Sequence, residues 1–306
     1  MTILRRLAAA AIVIGLGMTA LGLAATADWR LGLIVNFRLQ LLFGFMILVA
    51  IMIAVGDRRW LVPAVAGLAI NAILVGPWLG FGSGTSSGES VTVLHLNLLA
   101  ANRDTAAVVE LLHETDADIA FLAEATASWR RRLRLVEIPF DVVATPGDVR
   151  FGIIALSKIP VETRVLGVST FQLPTPLLSF DLDGEPITVM SFHTTSPVNT
   201  RRDAARDEQL MALSDLVSSV DGHGVLIGDL NATPWTPGMS LIEDAGYQNS
   251  LRSSGLQPSW PAGLGPFMIP IDHAFHSEGL EVIDRRTVAS SGSDHLGVEI
   301  ELAVKR

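Results

Sequence analysis

The sequence predicts an α/β domain with a mixed sheet, set behind an N-terminal membrane-spanning segment. Three observations predict it. The first 80 residues contain three long runs without Lys, Arg, Asp or Glu. A Gly/Ser-rich stretch, GFGSGTSSGES (80–90), follows them. Beyond it, short β-branched runs alternate with segments of helical apolar spacing, the pattern of an α/β fold.

The apolar runs come first in the chain. Mean hydropathy is +0.44 and charged residues are 17% of the total, against about a quarter in ordinary soluble domains. Spans are expected at about 7–27, 35–55 and 60–79, each close to the roughly 20 residues that cross a hydrocarbon core. Trp29, Trp60 and Trp78 stand at run edges, where amphipathic rings favour the headgroup region. No polar stripe interrupts the runs, which argues against helices buried in a soluble domain. They also lack the internal acids and bases of a transporter or channel. Arg5, Arg6, Arg58 and Arg59 outweigh Arg30 and Arg38, a bias that puts the N-terminus inside and everything after residue 80 on the extracytoplasmic side. ATA at 25–27 also reads as a signal-peptidase site. Cleavage there would leave two spans and the same orientation.

Residues 1–80 thus read as a transmembrane anchor, 81–90 as a flexible linker and 91–306 as one large domain. That domain holds 16 basic and 28 acidic residues, a net of −12. Such a charge lacks the basic footprint of a non-specific nucleic-acid binder. There is no Cys, which excludes disulfides, thiolate metal sites and Cys nucleophiles.

Within the domain, four apolar runs end in polar residues. VTVLHLN ends at Asn97, DIAFLAE at Glu124, ITVMSFH at His193, and GVLIGDLN at Asp229 and Asn231. Buried strands must leave the core somewhere, so one such end is ordinary. Four of them suggest a shared rim, because neighbouring strands of one sheet can bring their ends together. Asp229 and Asn231 would face the same way if the strand continued through both. Helices are expected over 104–116, with Asp104 as N-cap, and over 200–220, with Leu210, Leu213 and Leu216 or Val217 on one face. GIIALSKIPV (152–161) reads as a strand interrupted near Ser157–Pro160. Near the C-terminus, Asp272 opens an alternating run, and Asp294 and His295 precede the pattern Val298, Ile300, Leu302. A His oriented by a second carboxylate can act as a general base. In ASWRRRLRL (127–135), Arg130, Arg131, Arg132 and Arg134 read as a solvated helix face, with phosphate contact as the alternative.

Taken in order, Asn97, DADIAFLAE, GIIALSKIPV, His193, GDLNATPW, IDHAF and SDH resemble the endonuclease/exonuclease/phosphatase superfamily, the DNase I-like proteins. The resemblance spans 91–306. It implies two packed mixed sheets with helices outside, a four-layer αββα sandwich, and metal-dependent hydrolysis of phosphate esters by a membrane-anchored bacterial-type member. It implies metal binding at Glu124, with Asn97 and Asp294 near the ion. It further implies water and phosphoryl positioning by Asp229 and Asn231, phosphate contact by His193, and a carboxylate–imidazole pair of Asp272 and His295. The implied cofactor is Mg²⁺, with Mn²⁺ or Ca²⁺ as alternatives. A hard cation prefers oxygen ligands and offsets the charge that repels hydroxide from a phosphodiester. Leu99 stands where many DNA-repair members carry a second acid, and the single Tyr, Tyr247, lies outside the matching stretches. The expected partners are the lipid bilayer and a phosphate-ester substrate, nucleic acid or a lipid headgroup. Nuclease-type diester cleavage is placed slightly ahead of phospholipid, sphingomyelin or monoester hydrolysis. A catalytically silent binding domain of the same fold is the alternative of another class.

Overall fold

Two-residue alternation organises the interior of the domain. In β1 (Ser90–Asn97), Val91 and Val93 point one way and Leu94 and Leu96 the other, and both sets are buried. The strand is therefore covered on both faces, as a sheet layered between another sheet and helices requires. The computed structural model describes residues 2–80, 82, 84, 88–145, 152–289 and 292–306.

Two six-stranded mixed sheets face each other. The first joins β1 to β2 (Ile119–Ala123), β3 (Asp141–Ala144), β4 (Ile154–Ser157), β11 (Leu280–Val288) and β12 (Gly297–Val304), in the order β11-β12-β1-β2-β4-β3. The second holds β5 (Glu162–Val168), β6 (Leu173–Leu182), β7 (Glu185–His193), β8 (His223–Asp229), β9 (Tyr247–Asn249) and β10 (Asp272–Ser277), in the order β5-β6-β7-β8-β10-β9. Val93, Ile119, Phe121, Ile187, Val189, Val225 and Ile227 fill the space between them.

Four α-helices, α1 (Thr2–Leu23), α2 (Trp29–Ile34), α3 (Arg38–Ala54) and α4 (Arg58–Val75), precede the sandwich. The outer layers are α5 (Thr105–Glu114) and α6 (Ala127–Leu133) on the first sheet, and α7 (Thr200–Ser218) and α8 (Met239–Asp244) on the second. Asp104 caps α5, accepting from the Ala107 N–H at 3.1 Å. Leu210, Leu213 and Val217 are the buried face of α7. The result is the four-layer αββα sandwich. In α6, Trp129 is buried beneath the Arg132 guanidinium, 3.9 Å from the ring centroid, and Arg132 also holds the Arg103 carbonyl and Thr105. That arginine serves packing.

Three stretches, Ile3–Leu23, Trp29–Ala54 and Arg58–Trp78, are long and apolar enough to cross a membrane. The second is not one straight helix. A 3-10 turn over Val35–Phe37 separates α2 from α3. Phe45 packs against Gly15 and Gly67, where a Cβ would strike its ring. Asn71 donates to Thr19 at 3.0 Å, tying α4 to α1.

One end of this bundle touches the sandwich. Thr233 Oγ1 donates to Asn36 Oδ1 at 3.0 Å, and Trp235 Nε1 to the Leu74 carbonyl at 3.0 Å. Gln40 Nε2 donates to the carbonyls of Pro266 and Met268, each at 3.0 Å. Arg252 stacks over Trp78 at 4.1 Å. The flexible-linker expectation for 81–90 falls partly on 81, 83 and 85–87, which lie outside the described residues. Gly82 and Gly84 donate backbone hydrogen bonds to Ser253 and Val282.

Candidate active site

The inner faces of the strands change character along their length. In β1 the series runs Val91, Val93, His95, Asn97; in β7, Ile187, Val189, Ser191, His193; in β8, Val225, Ile227, Asp229. The antiparallel β10 begins at this same end with Asp272, paired across from Asp229, while His193 pairs with Asp229 on the other side. His295 enters just ahead of β12. The polar ends therefore come from both sheets, where the sequence pattern suggested one rim of a single sheet. The facing layers converge on the same end of the sandwich. At Gly228 a Cβ would strike the Phe192 carbonyl oxygen, so only glycine lets β8 approach β7 this closely beside Asp229.

Asn97, Glu124, His193, Asp229, Asn231, Asp294 and His295 line one hollow of about 720 Å³. Asp272 lies behind it, fully buried. His295 Nδ1 is 2.9 Å from Asp272 Oδ2, and its Nε2 is 3.7 Å from Asp229 Oδ2. His193 Nε2 lies 3.5 Å from that same oxygen. Asn97 Nδ2 donates to Asp229 Oδ2 at 3.0 Å and reaches Glu124 Oε1 at 3.5 Å. Its Oδ1 accepts from the Leu99 N–H at 2.9 Å. Asn97 is thus a strut between two carboxylates and turns its amide nitrogen toward them.

Asn231 does not share a strand face with Asp229, because β8 stops at Asp229 and Asn231 adopts a left-handed conformation with φ 45°. It reaches the hollow by a turn instead. Its N–H donates to Asp229 Oδ1 at 2.9 Å, and its Nδ2 to the Thr194 carbonyl at 3.0 Å. Leu99 (φ 58°) and Glu124 (φ 54°) are left-handed as well. Non-glycine residues rarely adopt this conformation, and such strain collects at functional sites. At Glu124 it ends β2 abruptly. The carboxylate is then held by the Ala100 N–H at 2.7 Å.

Burial and charge set the proton positions. Burial alone would lower the His295 pKa, but the charges of Asp272 and Asp229 outweigh it and raise it to about 10. Burial, with the neighbouring Asp272 charge, raises Asp229. Asp272 is lowered despite its burial, because the charge and hydrogen bond of His295 prevail. His95 is held neutral by burial, with its pKa down to about 4, although its Nε2 lies 3.7 Å from Asp272 Oδ1.

The donor set suits a hard divalent cation. Glu124, Asp229 and Asp294 bring carboxylates to the same hollow, and such ions take oxygen ligands and retain waters. Asp229, Asp272 and His295 also offer one ligand atom each, all within 4.8 Å of one another. Several supporting residues carry no local sequence signal. Trp260 Nε1 donates to Asp294 Oδ2 at 3.0 Å, and Ser259 Oγ accepts from the Asp272 N–H at 3.2 Å. Ser293 links the Asn97 carbonyl (2.6 Å) to the His295 N–H (3.0 Å). Arg202 lines the hollow, whereas Arg130, Arg131, Arg132 and Arg134 are not among its lining residues.

Two facing mixed sheets, with buried carboxylates and imidazoles at one end, define the class: the phosphate-ester hydrolases of DNase I-like fold. The chain belongs to the Endonuclease/Exonuclease/phosphatase family, whose model matches residues 93–295. No curated protein matches it by sequence. Among solved structures it resembles an endonuclease/exonuclease/phosphatase family protein from Bacteroides thetaiotaomicron, at 18% identity and TM-score 0.58, covering 72% of this chain and 100% of that one. It also resembles D. rerio TDP2 complexed with single strand DNA product, at 16% identity and TM-score 0.58, covering 71% and 100%. A third is the mannosyl-6-phosphatase of Bacteroides thetaiotaomicron, at 18% identity and TM-score 0.55, covering 70% and 99%. At these identities the likeness is one of fold.

Proposed function

We propose that the protein is a divalent-metal-dependent phosphodiesterase, tethered to the membrane with its sandwich on the extracytoplasmic side. The observation that carries this reading is the convergence of Glu124, Asp229, Asn231, His193 and His295 on one hollow, with Asp272 fixing the His295 ring from behind. The three apolar stretches and the arginine bias support the tether and its orientation.

Glu124 would hold the cation, with Asp294 and Asp229 beside it. Once bound, Mg²⁺ supplies charge neutralisation at the phosphoryl oxygens and at the leaving oxygen. The chain's own groups do the rest. Asp272 fixes the His295 ring through Nδ1, so Nε2 faces the hollow. His295, paired with Asp272 through Nδ1, is placed to donate through Nε2 to a phosphoryl oxygen. Asp229, whose Oδ2 lies between His193 and His295 in the hollow, accepts the proton of the attacking water. The water oxygen bonds to phosphorus, one ester P–O bond breaks, and the departing oxygen takes a proton from solvent. Asn97 holds Asp229 against Glu124, and His193 faces the same oxygen of Asp229.

The test uses the full chain in nanodiscs with bis(p-nitrophenyl) phosphate and Mg²⁺. Hydrolysis that EDTA abolishes and Mg²⁺ restores is expected. Full activity in Glu124→Ala would refute the proposed site.

A further inference from the structure

The hollow has a wall that the sandwich does not provide. Trp29, Leu33 and Asn36, from α2 and the turn after it, line it together with Val198, Ile269 and Trp260. The family match begins at residue 93, so these N-terminal residues lie outside it.

The wall is fixed in place. Asn36 accepts from Thr233, two residues beyond Asn231, and Gln40 holds the 266–268 carbonyls beside Ile269. These contacts, with those of Leu74 and Trp78, lie at one end of the helical bundle. From there α3 runs 17 residues into the apolar segment, about 25 Å at 1.5 Å per residue, against a hydrocarbon core of about 30 Å. In a bilayer crossed by these helices, the hollow would sit where they leave the hydrocarbon. Exposed apolar side chains gather there: Phe37 precedes α3, Phe267 stands between the carbonyls bound by Gln40, and Val198 lines the hollow at 59% exposure. Exposed apolar surface at this level suits contact with acyl chains. A strand of nucleic acid needs a cationic track. Among the described residues, Arg202 is the single Lys or Arg that lines the hollow, and the domain is net acidic.

Resting on the hydrolase reading above, we propose that the N-terminal helices form part of the substrate site, and that the substrate is a phosphodiester carried by a membrane lipid. The lipid's phosphate would enter among Glu124, Asp229 and His295 while its apolar part lies along Trp29, Leu33 and Val198. Water adds to phosphorus and one ester P–O bond breaks, giving a phosphomonoester and an alcohol, with the protons placed as above.

The full chain in nanodiscs is assayed with Mg²⁺ against phosphatidylcholine and phosphatidylglycerol of the same bilayer, bis(p-nitrophenyl) phosphate, and a single-stranded oligonucleotide. Lipid turnover should exceed oligonucleotide turnover. Leu33→Glu should lower the ratio of lipid to soluble-diester turnover at least tenfold. Because the chain has no Cys, Val198→Cys gives a single site for a bimane label, and lipids brominated along the acyl chain should quench it. Cleavage of the soluble diester with lipid left intact, preference for the oligonucleotide, an unchanged ratio in Leu33→Glu, or an unquenched label each overturns the proposal while the hydrolase reading stands. Absence of cleavage with all four substrates overturns both.

Discussion

The two ends of the inter-sheet layer are built on the same strands and differ in almost everything else. At one end Val93, Phe121, Ile187 and Val225 are fully or almost fully buried and purely apolar. At the other, the same alternating positions carry His95, Asn97, His193, Asp229 and Asp272, buried nearly as deeply. Burying apolar surface is favourable at roughly 25 cal/mol per Å². Burying charge is costly unless it is paired and hydrogen-bonded. The apolar end therefore stabilises the sandwich, and the polar end draws on that stability to hold carboxylates and imidazoles at shifted pKa values. Substitutions at the two ends should separate cleanly into losses of stability and losses of activity.

The largest separation is expected at Asp229→Asn, which keeps the shape but removes the proton acceptor. Turnover of bis(p-nitrophenyl) phosphate should fall by about 10²–10⁴-fold, with the thermal midpoint held or raised, since a buried charge is lost. A drop of less than tenfold would deny Asp229 its role. Next, Phe121→Ala at the apolar end should destabilise the domain by about 3–5 kcal/mol in chemical denaturation. Its kcat should stay close to that of the wild type below the new midpoint. Loss of kcat without loss of stability would erase the distinction between the ends.

Asp272→Ala should affect both quantities, since it strands His295. Breaking a buried ion pair costs about 3–5 kcal/mol in general, and the pH profile of the remaining activity should shift as the imidazole pKa falls. For metal-free protein the pH dependence of stability has a definite sign. His295 rises from an ordinary value near 6.5 to about 10 on folding. Its contribution is fully present below pH 6.5 and is lost as pH climbs toward 10. The melting temperature in EDTA should decline across that window, and His295→Gln should flatten the decline. The smallest effect is expected at Ile187→Val, about 0.5–1.5 kcal/mol with activity unchanged.

Individual residues show how much of this was legible beforehand. Val91, Val93 and Asn97 share one face by strand periodicity, and the sequence displays that directly. Asp272 and His295 stand 23 positions apart, and composition and spacing alone say nothing of their 2.9 Å contact. Family resemblance suggested the pair; coordinates give its distance and burial. His95 reads in the sequence as one more strand residue, because nothing local reveals that its inner-face position lies across from Asp272. Trp260 and Ser293 sit in loops, where hydrogen-bond partners follow from distant backbone. Alternation cannot say whether the strand continues through Asn231, because it gives no warning of the left-handed residue that turns the chain there.

The amino-acid order on its own determined the apolar N-terminal stretches, the alternation of strands and helices, and the polar strand ends, because each depends on periodicity and composition over a few residues. Only the tertiary structure decided that those ends meet across two sheets, that Asp272 lies behind His295, and that Trp29, Leu33 and Asn36 line the hollow. These depend on how separate layers dock, and docking is set by side-chain fit between segments far apart in the chain, which no local pattern encodes.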